Sequence, residues 1–200
     1  MTATQRSSRT VANSTPYPWP YDEVIDPAVT ALVVCGGGDT WSAGVRSDPP
    51  TQARIALLRA AFGATAALVI VLEHEPIFTT IATVADAAAP LHAEAGELSV
   101  TAAGVDGFYG GPLDALLQHH RRSHLVVCGY GLETVVHGTV RRANDRGYEC
   151  LTVIDASIAH DPALLPAARS MIEMSGGIFG AVANTEATIS AFTPTPFRAP

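Results

Sequence analysis

Charge is scarce in this chain. Only 16% of its 200 residues are Asp, Glu, Lys or Arg, and the balance is acidic, at −7 with a pI near 5.4. No basic stripe is present for a phosphate backbone to settle on, which argues against a nucleic-acid partner. Cysteine is scarce too. Cys35, Cys128 and Cys150 form neither a C-x-x-C pair nor an even set. A disulfide framework is therefore not expected, and a reducing, cytoplasmic setting is. Long apolar runs are missing as well. The longest, ATAALVIVL (64–72), has the length of a buried strand and not of a membrane span, so no membrane partner is expected. No apolar stretch follows the polar start MTATQRSSRT, and no secretory leader is expected. Histidines do not recur at metal-ligand spacing. The triglycine 36–38 lacks the G-K-[ST] ending of a phosphate loop. Neither a metal nor a cofactor is expected.

What is present is apolar and periodic. The chain is 48% hydrophobic, enough for a sizeable core in one domain of ordinary size. Residues 1–27 read as an extended arm, with four prolines among aromatics in STPYPWPYDEVIDP. Such an arm packs across its own domain or a neighbouring subunit. Residues 28–200 read as a single α/β domain. Its strand candidates are ALVVC (31–35), ALVIVL (67–72), ELSVT (97–101), HLVVC (124–128), ECLTVI (149–154) and GIFGAV, ending at Val182. Most are nearly continuous apolar runs, the pattern of strands covered on both faces.

Helical spacing fills the gaps. Residues 51–62 place Ile55, Leu58 and Phe62 on one face. Residues 112–122 open with Pro112, and 162–175 open with Pro162 and stop at Gly176. In 132–146, Leu132, Val135, Val136, Val140 and Ala143 share a face before Gly147. Strand–helix alternation predicts a doubly wound, mostly parallel six-stranded sheet with helices on both faces. The Ala-rich stretch 76–96 gives no clear element. In such sheets ligands bind beyond the carboxyl ends of the strands. That rule selects 35–41, 73–78, 102–111, 129–137 and 155–160.

Five segments carry a family resemblance: YPWPYD (17–22), TALVV (30–34), GELSVTAAGVDGFYGGPLD (96–114), RRANDRGYEC (141–150) and EMSGGIFGAVAN (173–184). On these the chain resembles the isochorismatase-like cysteine hydrolases, and within them the biuret amidohydrolase group. The resemblance implies the fold just described, an oligomeric assembly, and an amidase site of three residues. An Asp ending the first strand acts as base, a Lys after the third stabilises charge, and a Cys opening the helix after the fourth attacks a carbonyl carbon. Aligned on the flanking segments, those positions hold Gly36, Ala102 and Val135. The resemblance thus implies one hollow from which the attacking group, the base and the ammonium are all missing. Amide hydrolysis is not expected, nor is vinyl-ether hydrolysis, which needs the Asp as proton donor.

Other residues at the strand ends could substitute. Asp39 follows the triglycine. His74 lies between Glu73 and Glu75, and a flanked imidazole suits general-base work. Glu133 sits in a first helical turn, where the helix dipole alone explains a carboxylate. The bland readings are a loop residue, a solvated strand end and a helix-terminal charge. The expected lining of the hollow is Gly36, Asp39, Trp41, Ala102, Phe108, Tyr109, Tyr130, Leu132 and Val135. Cys35 and Cys128 end neighbouring strands, so their thiols are expected close together, as small buried hydrophobes. Two functions follow. The first is a subunit without the family chemistry, assembling with itself or with a catalytic paralogue, or binding a small molecule. The second is an enzyme repurposed for non-hydrolytic work on a small planar substrate.

Overall fold

The computed structural model describes residues 10–21, 25–75, 82–174 and 176–192. Six strands form one sheet: β1 (Thr30–Gly37), β2 (Leu68–His74), β3 (Leu98–Ala102), β4 (His124–Tyr130), β5 (Glu149–Ile158) and β6 (Ala181–Ala183). The order is β3-β2-β1-β4-β5-β6 and every pairing is parallel. The chain winds outward from β1 to β3, then returns to place β4 on the other side of β1. The expected doubly wound sheet is thus present, and it is wholly rather than mostly parallel.

Burial explains the apolar runs. All eight residues of β1 are buried, and its register sets Leu32 beside Val69 and Val126. One face packs against α2 (Pro49–Gly63) and α6 (Thr185–Phe192). Ile55, Leu58 and Phe62 point inward there, and Phe62 meets Phe192 at 4.3 Å between ring centres. The other face packs against α3 (Leu113–His119), α4 (His137–Asp145) and α5 (Leu165–Glu173), including Leu113, Leu117, Val140, Ala143 and Ala168. A short α1 (Asp39–Ser42) follows β1 directly. Asp48 starts α2 by accepting from the Thr51 hydroxyl at 2.8 Å, ahead of Pro49 and Pro50.

Three boundaries differ from the sequence reading. β5 runs to Ile158, past the polar Asp155, because its pairing with β4 shifts register between Val127 and Gly129. The irregularity lets the Asp155 carboxylate accept from the Thr185 amide (2.8 Å) and hydroxyl (2.9 Å), which starts α6. β6 begins only at Ala181, since Gly180 N–H closes a turn onto Gly177 O at 3.1 Å and takes Ile178 and Phe179 out of the sheet. The helix after β4 opens with a π turn, Leu132–Val136, closed by Val136 N–H on Gly131 O. Within 82–96 no helix forms. Arg59 holds this segment, donating to Glu97 Oε1 (2.9 Å) and His92 O (2.8 Å). Positions 76–81 lie outside the described residues. The arm packs on its own domain: Thr15 exchanges backbone bonds with Val182, and Trp19 is fully buried.

Leu32→Ala removes a fully buried side chain from the central strand and should cost about 2–5 kcal/mol in urea unfolding. Leu57→Ala, on the exposed side of α2, should stay within about 0.5 kcal/mol of the parent.

Candidate functional site

The sheet order reverses between β1 and β4, so the crevice of a doubly wound sheet opens at their carboxyl ends. The two strands meet there through bare backbone. Gly36 has φ +74°, and a Cβ placed on it would lie 2.8 Å from both Cβ and O of Tyr130. Gly129 has φ +122°, and a Cβ on it would overlap the Cys35 backbone. No side chain fits at position 36. The expectation that position 36 opens into a hollow shared with 102 and 135 is therefore revised. Ala102 and Val135 do share one environment, the fully buried apolar cluster that also holds Trp41, Phe108 and Leu132.

An indole and two imidazoles fill the place of the expected hollow. Trp41 Nε1–H donates to His74 O at 2.8 Å. Its ring meets the His74 ring edge-on at 5.7 Å and the His160 ring, tilted, at 5.6 Å. His74 pairs in register with Ala102. His160 adjoins Val135 across Gly131, where an added Cβ would lie 2.8 Å from His160 Cε1 and 3.0 Å from Val135 Cγ2. The cluster thus reaches from position 102 to position 135.

The tautomer of His74 follows from its partner. Its Nδ1 lies 2.8 Å from Gly104 O, and a carbonyl only accepts. Nδ1 therefore carries the proton and Nε2 presents a bare lone pair, buried and without a hydrogen-bond partner among the described residues. Burial lowers the pKa of His74, against the opposing pull of the Gly104 bond and of Asp106. Burial lowers His160 too, opposed by Glu133 and the Trp41 backbone. His137, beyond the cluster, is lowered by burial and by Arg141. All three are neutral at pH 7.

Four other expectations need correction. The Asp39 side chain is 85% exposed and turns to His92, 3.7 Å away, because it opens α1 on the outer side. Tyr130 lies on the opposite face of the sheet with Cys128, as strand alternation requires. Its hydroxyl donates to Ala89 O at 2.8 Å and accepts from Gln52 at 3.2 Å. Tyr109 is 63% exposed and lines a groove of about 450 Å³ with Arg141 and Arg142. Cys35 and Cys128 belong to opposite faces and do not face each other.

Glu133 does structural work, its two oxygens accepting from Asp161 N (2.9 Å) and His160 N (3.2 Å). Phe108 packs on Tyr148 under the Arg146 guanidinium. No thiol is available as a nucleophile. All three are buried, with Cys35 pushed up to about 12 by burial and Cys128 and Cys150 raised by the same cause. His160 was not singled out by sequence, although the β5 end was. Its signal was a lone histidine just past the carboxyl end of β5.

A wholly parallel, doubly wound sheet with its crevice between β1 and β4 defines the class. Within it, the sequence profile of the Isochorismatase domain matches residues 30–187, and the chain belongs to that family. Solved structures agree on the fold. A cysteine hydrolase from Pseudomonas syringae pv. phaseolicola superposes with a TM-score of 0.69 at 20% identity, covering 84% of this chain and 94% of that one. N-carbamoylsarcosine amidase from Thermoplasma acidophilum gives 0.62 at 20% identity, covering 78% and 96%. A nicotinamidase from Staphylococcus aureus gives 0.62 at 16%, covering 78% and 99%.

Unfolded imidazoles titrate near 6.5. Above that value both states are neutral. Below it the unfolded chain binds protons that buried His74, His137 and His160 resist, so stability falls as pH drops toward their lowered values. The urea midpoint should decline from about pH 7.5 to 5.5, and His74→Gln should flatten the decline. An unchanged slope in that variant would contradict the burial argument. Gly36→Ala should cost about 1–3 kcal/mol by the same measurement.

Proposed function

We propose that this chain is an isochorismatase-family subunit without the cysteine amidase chemistry, its fold serving assembly or small-molecule binding. One observation carries the reading: the carboxyl edge of the sheet offers no thiolate, no ammonium and no carboxylate at the positions where the resemblance puts them. Position 36 rejects any side chain, and Ala102 and Val135 are sealed in apolar packing. Composition supports this independently. The sequence contains no lysine at all, its twelve cationic side chains all being arginine, so no ammonium can have moved in from elsewhere. Attack on an amide needs a populated thiolate, and burial holds all three thiols protonated. In comparable systems the rate left after losing the catalytic side chains is only ~10³–10⁴ over water. Kinship with the biuret amidohydrolase group, resting on YPWPYD and EMSGGIFGAVAN, is part of the same proposal.

A second reading has one observation in its favour. The unpartnered Nε2 of His74, beside Trp41, is a fixed proton acceptor of the kind that non-hydrolytic chemistry on a small planar substrate would use.

Purified protein incubated with small carboxamides and ureas should release no ammonia above the protein-free rate. Saturable release would sink the first reading. Conversion of a small planar compound without ammonia release, lost in His74→Gln, would move the assignment to the second.

A further inference from the structure

We propose that the groove between α4 and the loop after β3 binds a free α-amino acid with an aromatic or apolar side chain. The groove lies outside the cluster of Trp41, His74 and His160, so the inference stands whether or not the subunit has any chemistry there.

α4 supplies one wall. Gly138, Arg141, Arg142 and Asp145 follow one another at helical spacing and line it, while Val140 and Ala143 face the core. Val105, Asp106 and Tyr109 line the other side. At one end the two walls touch, since a Cβ on Gly138 would lie 3.5 Å from Val105 Cγ1. The volume, about 450 Å³, is that of a small-ligand site. The loop is already tied down. Ala103 N–H donates to Tyr109 O (2.9 Å), Phe108 N–H to Asp106 Oδ1 (2.9 Å) and Gly107 N–H to the Thr139 hydroxyl on α4 (3.0 Å). The site is preformed, and little ordering has to accompany binding.

Charge selects the ligand. Arg46, Arg54, Arg59, Arg146 and Arg169 each pair with a carboxylate, and Arg122 is spent on backbone carbonyls. Arg141 and Arg142 have no such partner among the described residues. The Arg141 guanidinium is held 4.7 Å over the Phe179 ring instead, and Arg142 makes neither an ion pair nor a hydrogen bond there. Asp145, one turn further along the same stripe, is equally unpaired among the described residues. Two unpaired guanidiniums thus share the groove with two carboxylates, Asp106 and Asp145. A simple anion would be drawn by one pair and repelled by the other, and a simple cation likewise. A zwitterion satisfies both. Its carboxylate takes the planar two-point contact that Arg142 offers, and its ammonium faces Asp145. The Tyr109 ring, 63% exposed, and Val105 leave an apolar surface for the ligand's side chain.

Isothermal titration of the full chain with L-phenylalanine should show saturable binding. 3-Phenylpropionate, which lacks the ammonium, and phenethylamine, which lacks the carboxylate, should each bind at least about tenfold more weakly. Arg142→Gln should weaken phenylalanine at least about tenfold, with unchanged far-ultraviolet circular dichroism. Asp145→Asn should narrow the preference for phenylalanine over 3-phenylpropionate. Arg121→Gln, at an exposed arginine beyond the end of α3, should change neither. Three outcomes would overturn the proposal: no saturable binding of phenylalanine, equal binding of 3-phenylpropionate by the parent chain, or binding indifferent to Arg142→Gln.

Discussion

Backbone meets backbone where β1 and β4 end. Gly36 lies against Tyr130 and Gly129 against Cys35, with no room for a side chain on either glycine. This contact fixes how the two halves of the doubly wound sheet close at the switch point. It also decides what the switch point can hold. Since β1 projects nothing at position 36, any chemical group in the crevice must come from other strand ends or from the segments that follow the strands. The groups that do arrive are Trp41 after β1, His74 at the end of β2 and His160 after β5.

Those three rings turn a crevice into a core. Ala102 and Val135 are sealed beneath them, and Glu133 holds the 160–161 backbone in place with both carboxylate oxygens. The arrangement excludes water and keeps both imidazoles neutral. Neutral histidines pack well on an indole, and at neutral pH they bring no charge to the strand ends. Among the described residues of the cluster, His74 Nε2 and His160 Nε2 are both buried without a hydrogen-bond partner. Burying a polar ring nitrogen without a partner is unfavourable, so these two atoms are where the cluster is chemically incomplete.

Much of the architecture was legible in the sequence, and the reasons are local. β1, β2 and β4 are continuous apolar runs because the sheet is covered on both faces. Ile55, Leu58 and Phe62 announced the buried side of α2 by spacing alone. What the sequence hid was set by long-range geometry. Nothing local says that Asp155 sits inside a bulged strand and starts a helix thirty residues later. Strand parity had to be anchored before Tyr130 could be assigned to the face away from Val135. Trp41 and His74 were legible as residues near the site, but their mutual contact, and the presence of His160 beside them, depends on a helix, a strand end and a loop from three separate parts of the chain meeting at the same strand ends. The missing lysine was in plain view in the composition, and it bears more directly on the chemistry than any motif.

The distribution of sulfur has a consequence of its own. Every thiol lies inside the sheet's two cores, beyond the reach of peroxide or of glutathione exchange. Met171 on α5 and Met174 just past its end stand in the open. An oxidant would therefore leave the interior untouched and convert those two side chains from thioether to sulfoxide, polar and stereogenic. Damage would register first on the surface, well before it registered in whether the chain stays folded.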